Sequence, residues 1–280
     1  MGPGYGLSII CLFPFVQGFI YGWQCAGYRV ELWHVLAGIL ILAVDIGLAA
    51  AIFGEGSICI IMALPILIPI LAVGIAAGKS LGAVRRRRLL QVSLVPLVLS
   101  FVVVDTQNGP PVHPNAISDA VTITAPPDYV WRYMVQYPVN ESPPEYWLWK
   151  IGLPAPTQSV AATAAVGAMR ECRFTHGVVF KEEITELVAN KMLTFKVTGQ
   201  PDDPELLHHF SLDKGQLYLE DNGDGTTTVI ATSWYRLFVE PALYFDWWAA
   251  DNVRQVHFRV LNHVKRLAEA DWRRDHPSAN

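Results

Sequence analysis

Arg170 and Glu182 are the two residues of this chain best placed to do chemistry. Period-two parity over residues 177–187 puts Val178, Phe180, Glu182 and Ile184 on one strand face, and Val179, Lys181, Glu183 and Thr185 on the other. The first face is the apolar one, so Glu182 is expected inside. In Met169–Phe174, Arg170 shares a face with Cys172 and Phe174. On adjacent strands, Arg170 and Glu182 would form an inward pair. A desolvated carboxylate of this kind can serve acid–base catalysis or grip a polar headgroup. The competing reading is a structural ion pair that fixes the sheet.

A long helical pattern at 241–270 offers two more groups. At 100° per residue, Val256, Val260, Leu261 and Val264 form an apolar stripe with Val253, and Asp246 and His257 project about 20° and about 40° from its centre. Three turns, roughly 16 Å, separate them, too far for one dyad. His257 reads as a general base or as a core histidine with its hydrogen bonds satisfied. His208 and His209 point to opposite faces of a strand and cannot easily chelate one ion. The chain has no metal-ligand spacing, phosphate loop, dinucleotide fingerprint or G-x-S-x-G elbow. Neither a metal nor another cofactor is expected.

The elements that must position these groups follow from patterning. Residues 118–124 alternate as a strand, 125–128 open a helix, and Trp147 and Trp149 sit among prolines in a short helix and loop. A meander follows at 169–174, 177–187 and 191–198, with short strands at 208–212 and 215–220. Asp221-Asn-Gly-Asp-Gly supplies the positive-φ residues of a hairpin turn leading to the longest strand, 226–238. Together these predict an α+β domain, a curved antiparallel sheet covered by a long C-terminal helix. Such an arrangement leaves a cavity. Its candidate lining is Phe180, Leu217 and Tyr235 with Arg170, Glu182, Asp246 and His257. Trp234 and Tyr235 occupy opposite strand faces, so only one of them can line it. Tyr244, Phe245, Trp247 and Trp248 form an aromatic cluster suited to a pocket mouth, a bilayer interface or plain core.

Composition divides the chain. Of its 21 Lys/Arg and 25 Asp/Glu, only six and four fall in 1–105, leaving 15 basic and 21 acidic residues behind. The acidic back half argues against a nucleic-acid partner. The front reads as an all-α transmembrane domain of about four helices, at 5–23, 34–54, 57–78 and 89–104. The first is the least secure, because Pro14, Gln17 and several glycines interrupt it. Domain limits are expected at 1–105, a Pro-rich linker at 106–115, the α+β domain at 116–272 and a tail at 273–280. Arg85, Arg86, Arg87 and Arg88 fall between helices three and four, so the positive-inside bias makes them cytoplasmic and sends the C-terminal domain to the opposite, periplasmic side of a bacterial inner membrane. Asp45, in mid-span, reads as a proton or ion relay or as a protonated, hydrogen-bonded carboxyl. The four cysteines make no disulfide framework.

Three stretches carry a family likeness: "VTITAPPDYVWRYMVQYP", "FTHGVVFKEEITELVANKMLTFKV" and "DGTTTVIATSWYRLFVEPALYF" with "VLNHVKRLAEA". Over 116–272 the chain resembles the START-like helix-grip (SRPBCC) superfamily, in its bacterial polyketide cyclase/dehydrase and lipid-transport branch. The resemblance implies a hydrophobic ligand in the cavity and, in some members, cyclisation or dehydration there. It shares no catalytic motif that could be carried over. The leading expectation is a membrane-anchored domain binding a lipid or other hydrophobic small molecule, with membrane lipids as partners. The alternatives are a cyclase or dehydratase using Glu182, Arg170 or His257, and an accessory subunit docked on a membrane protein complex.

Overall fold

The computed structural model describes residues 6, 8–26, 56–84, 112–201, 203 and 209–277, with isolated positions between 33 and 47. The chain falls into two compact units. One takes 1–112, 204–209 and 238–245; the other takes 113–203, 210–237 and 246–280.

In the first unit a π-helical turn, Ser8–Leu12, leads into α1, Phe13–Gln24, and α2 spans Ser57–Val84. Pro65 and Pro69 lie within α2 without ending it. The two helices meet through glycine. A Cβ on Gly74 would stand 2.2 Å from the Phe15 carbonyl oxygen, and one on Gly78 would stand 2.0 Å from that of Phe19. From the other side, a Cβ on Gly22 would come within 2.1 Å of the Ile75 oxygen. Gly18/Gly22 and Gly74/Gly78 are both small-xxx-small pairs, which let helix backbones approach closely. The glycines that make the first segment look weak as a span are therefore its packing face. The Tyr244 hydroxyl donates to the Met62 carbonyl, and Phe245 packs with Ile66 and Leu67.

Among the described residues one helix, Ser57–Gly82, is apolar and long enough to cross a membrane. α1 has 12 residues, short of the ~20 a span needs. A four-helix membrane domain is thus not supported. Most of 34–54, all of 89–104, Asp45 and Arg85–Arg88 lie outside the described residues.

The second unit is a seven-stranded antiparallel sheet ordered β1-β7-β6-β5-β4-β3-β2. Its strands are β1 His113–Ile123, β2 Pro156–Ala161, β3 Met169–Phe174, β4 Val179–Val188, β5 Met192–Gly199, β6 Phe210–Asp221 and β7 Thr227–Leu237. Two short helices, α3 Pro127–Trp131 and α4 Trp147–Lys150, precede β2, and α5 runs Ala242–Asp275. This is the helix-grip arrangement. β1 starts at His113, earlier than residue 118, because it pairs without a break along β7 from Leu237 to Thr227. The two short strands expected at 208–212 and 215–220 are one strand, β6, whose pairing with β7 shifts register between Leu212 and Lys214. α5 continues to Asp275, through the start of the expected tail.

Alternation sets the core. Ile123, Ile184, Leu193, Val229 and Leu261 are fully buried. Each contributes about 1.5–3 kcal/mol of burial free energy, and together they hold α5 to the concave face.

Candidate functional site

A cavity of about 90 Å³ lies between the sheet and α5 in the second unit. Phe180, Phe195, Leu217, Val260 and Leu261 supply apolar walls, and Tyr137, Arg170, Cys172, Glu182, Ser233 and His257 supply polar groups. Of the seven expected lining residues, Arg170, Glu182, Phe180, Leu217 and His257 are here. Tyr235 and Asp246 are not. They meet each other instead: the Tyr235 hydroxyl donates to Asp246 Oδ1 at 2.7 Å, and its ring stacks on Phe210. Tyr235 belongs to a separate apolar cluster with Leu237 and Val253. Trp234 is on the outer face, where Lys214 Nζ lies 4.2 Å from its ring centre.

One polar group gathers on β3 and β4. Arg170 pairs in register with Glu182, and both side chains are almost fully buried. Arg170 donates through Nη1 to Glu182 Oε2 and through Nε to the Val135 carbonyl at 2.8 Å. Burial pushes the Glu182 carboxyl up, against the pull of the adjacent guanidinium. Tyr137 lies in the segment after α3 and is tied to Ser159 by backbone hydrogen bonds in both directions. Its buried hydroxyl has no oxygen or nitrogen partner among the described residues, and its polar neighbour is the weakly hydrogen-bonding Cys172 thiol. Burial holds that hydroxyl well above its ordinary value, so it stays a neutral O–H donor. Burial, reinforced by the Glu182 charge, drives the neighbouring Cys172 thiol up to about 12, which removes it as a nucleophile.

A second group joins α5 to β7 and β1. His257 Nδ1 is 2.8 Å from Asp119 Oδ2, and Nε2 is 2.8 Å from Ser233 Oγ. Asp119 Oδ1 also accepts from Arg254 Nε at 3.1 Å. A carboxylate held by an arginine only accepts, so Nδ1 carries the imidazole proton and Nε2 accepts the hydroxyl of Ser233. Burial lowers the His257 pKa, and Asp119 works in the opposite sense. Sequence reasoning missed Ser233 and Asp119. The available signal was parity: Asp119 shares the inward face of its strand with Ile117 and Val121.

Phe195 stands between the two groups. The Arg170 guanidinium carbon lies 4.8 Å from its ring centre. The ring also covers Gly215, which pairs in register with both Phe195 and Ser233.

Among the described residues no group of three or more His, Cys, Asp or Glu could hold a metal ion. His209 is in the turn just before β6, and His208 lies outside the described residues.

No protein-family model matches the chain, and no curated protein does. Solved structures similar to it include the aromatase/cyclase ZhuI from Streptomyces sp. R1128, at 13% identity and a TM-score of 0.40 over 60% of this chain and 99% of that one. Another is norcoclaurine synthase from Thalictrum flavum in complex with dopamine and hydroxybenzaldehyde, at 10% identity and 0.37 over 56% and 87%. A third is Ara h 8.0201, at 11% identity and 0.38 over 56% and 99%. Likenesses this distant transfer no activity, and the functional reading rests on this chain's own geometry.

Proposed function

We propose that the helix-grip unit binds a small, mainly apolar molecule bearing one oxygen acceptor. The observation that carries this is the buried Tyr137 hydroxyl, a donor with no oxygen or nitrogen partner among the described residues, at a cavity walled largely by phenylalanine, leucine and valine. A buried donor without a partner costs about 1–3 kcal/mol, which a guest's carbonyl, carboxylate or hydroxyl oxygen would recover.

Size narrows the ligand class. Pockets for drug-sized molecules run to roughly 300–1,000 Å³, so about 90 Å³ suits a guest of a few heavy atoms. A lipid acyl chain fits only if the Phe195 ring leaves. α2 supports the further reading that the chain is anchored in a membrane, with the cavity supplied from the bilayer. A periplasmic address for the cavity follows only if the arginine run at 85–88 is cytoplasmic.

Native mass spectrometry of the gently solubilised full chain tests this. Wild type should carry a small co-purified molecule, Tyr137→Phe should lose most of it, and Phe195→Ala should accept larger guests, lipid included. An empty cavity in both wild type and Phe195→Ala would overturn the reading.

A further inference from the structure

Ser233, His257 and Asp119 make a hydrogen-bonded series with both links at 2.8 Å. The three come from β7, α5 and β1, and Ser233 and His257 line the cavity. The order is that of a nucleophile, a base and a carboxylate that orients the base, a set recognised by geometry and roles rather than by sequence position. Each role has support beyond distance. Ser233 Oγ makes no other hydrogen bond among the described residues, so its lone pairs are not taken up by the protein there. Asp119 is almost fully buried and is held from its other oxygen by Arg254, which keeps it an acceptor. His257 is therefore fixed in the tautomer that can take a proton from serine. The room for an acyl group is the cavity of about 90 Å³ that Ser233 and His257 both line.

We propose that Ser233, His257 and Asp119 cleave a short-chain ester held in the cavity, with Ser233 as nucleophile, His257 as general base and acid, and Asp119 as positioning residue. This rests on the cavity admitting a guest. Ser233 Oγ adds to the ester carbonyl carbon while its proton passes to His257 Nε2. The bond from that carbon to the alcohol oxygen then breaks, and the departing oxygen takes the proton from Nε2. Water adds to the acyl-serine, giving a proton to Nε2. The serine oxygen leaves the carbon and recovers that proton, so one ester and one water yield one alcohol and one carboxylic acid. The small volume limits the acyl group to about acetyl size.

The experiment uses the full chain in detergent, with p-nitrophenyl acetate for turnover and methanesulfonyl fluoride, whose transferred group is close to acetyl in size, for labelling. Wild type should release nitrophenolate catalytically and gain one sulfonyl group, mapped by peptide mass to Ser233. Ser233→Ala should abolish the label, and it and His257→Gln should each lower kcat/KM about 10²-fold or more. Asp119→Asn provides a readout that a merely structural role would not move. Removing the carboxylate that raises the His257 pKa should shift the acid limb of the pH–rate profile to lower pH. Turnover unchanged in Ser233→Ala, or no label on Ser233 in wild type from which the co-purified guest has been stripped, would overturn the proposal and leave the binding reading intact. No guest in wild type or Phe195→Ala, together with no label, would overturn both. The labelling of wild type decides the matter even if the alanine variant fails to fold.

Discussion

The ring of Phe195 rests where Gly215 has no side chain: a Cβ built on Gly215 would stand 2.4 Å from the ring's Cζ. The contact is with the far end of a side chain, so the ring can move, but at the expense of its cation–π contact with Arg170.

Gly215→Ala should therefore destabilise the protein by about 1–3 kcal/mol, the usual cost of overfilling a packed site. Adding Phe195→Ala should make the alanine at 215 nearly neutral. Thermal melts of the two single variants and the double variant would reveal this coupling.

The buried pair on β3 and β4 should behave as a unit. Glu182→Gln leaves the Arg170 guanidinium desolvated without a counter-charge, and Arg170→Met strands the carboxylate. Each should cost about 3–5 kcal/mol, whereas Arg170→Met with Glu182→Leu should cost less than either alone. Denaturant titration of all three checks it, and additive losses would show that the two side chains act independently.

His257 makes stability depend on pH. Its folded pKa lies below the ordinary value of 6.5 because burial disfavours the charged ring. As pH falls through 6.5, the unfolded chain takes up a proton before the folded one does, and the folded state loses ground until the folded pKa is passed. The melting temperature of wild type should drop more between pH 7.5 and 5 than that of His257→Gln. Parallel curves would contradict the assignment.

In the first unit, Gly78→Leu should separate the two helices. A side chain there meets the Phe19 carbonyl and the Trp23 backbone nitrogen, which cannot move away as a side-chain end can. Cysteine cross-linking between α1 and α2 should be lost in this variant, and Gly78→Ala should weaken it.

The Arg170–Glu182 pair was legible because parity and adjacency in a meander are local properties. The helix stripe was legible for the same reason, and it placed His257 correctly on the sheet-facing side. What escaped was whatever depends on register between distant strands. Asp119 and His257 are 138 residues apart, and they meet only because β1 pairs with the last strand. Tyr137 escaped because it lies in an irregular segment with no period to read. Asp246 was assigned to the lining from its angle alone, although a neighbouring tyrosine on the same face takes up its carboxylate. The packing role of the glycines in α1 escaped because propensity counts their entropic cost and is silent about a partner backbone that needs their bareness.

The glycine contacts between α1 and α2 advance in step: Phe15 meets Gly74, Phe19 meets Gly78 and Trp23 meets Gly82. The two helices are therefore codirectional. In a bilayer, Gln24 and Val84 would then emerge on one leaflet, with Ser57 at the other. An epitope inserted after either of the first two should be reached by the same impermeant reagent, and one placed just before Ser57 should be shielded from it.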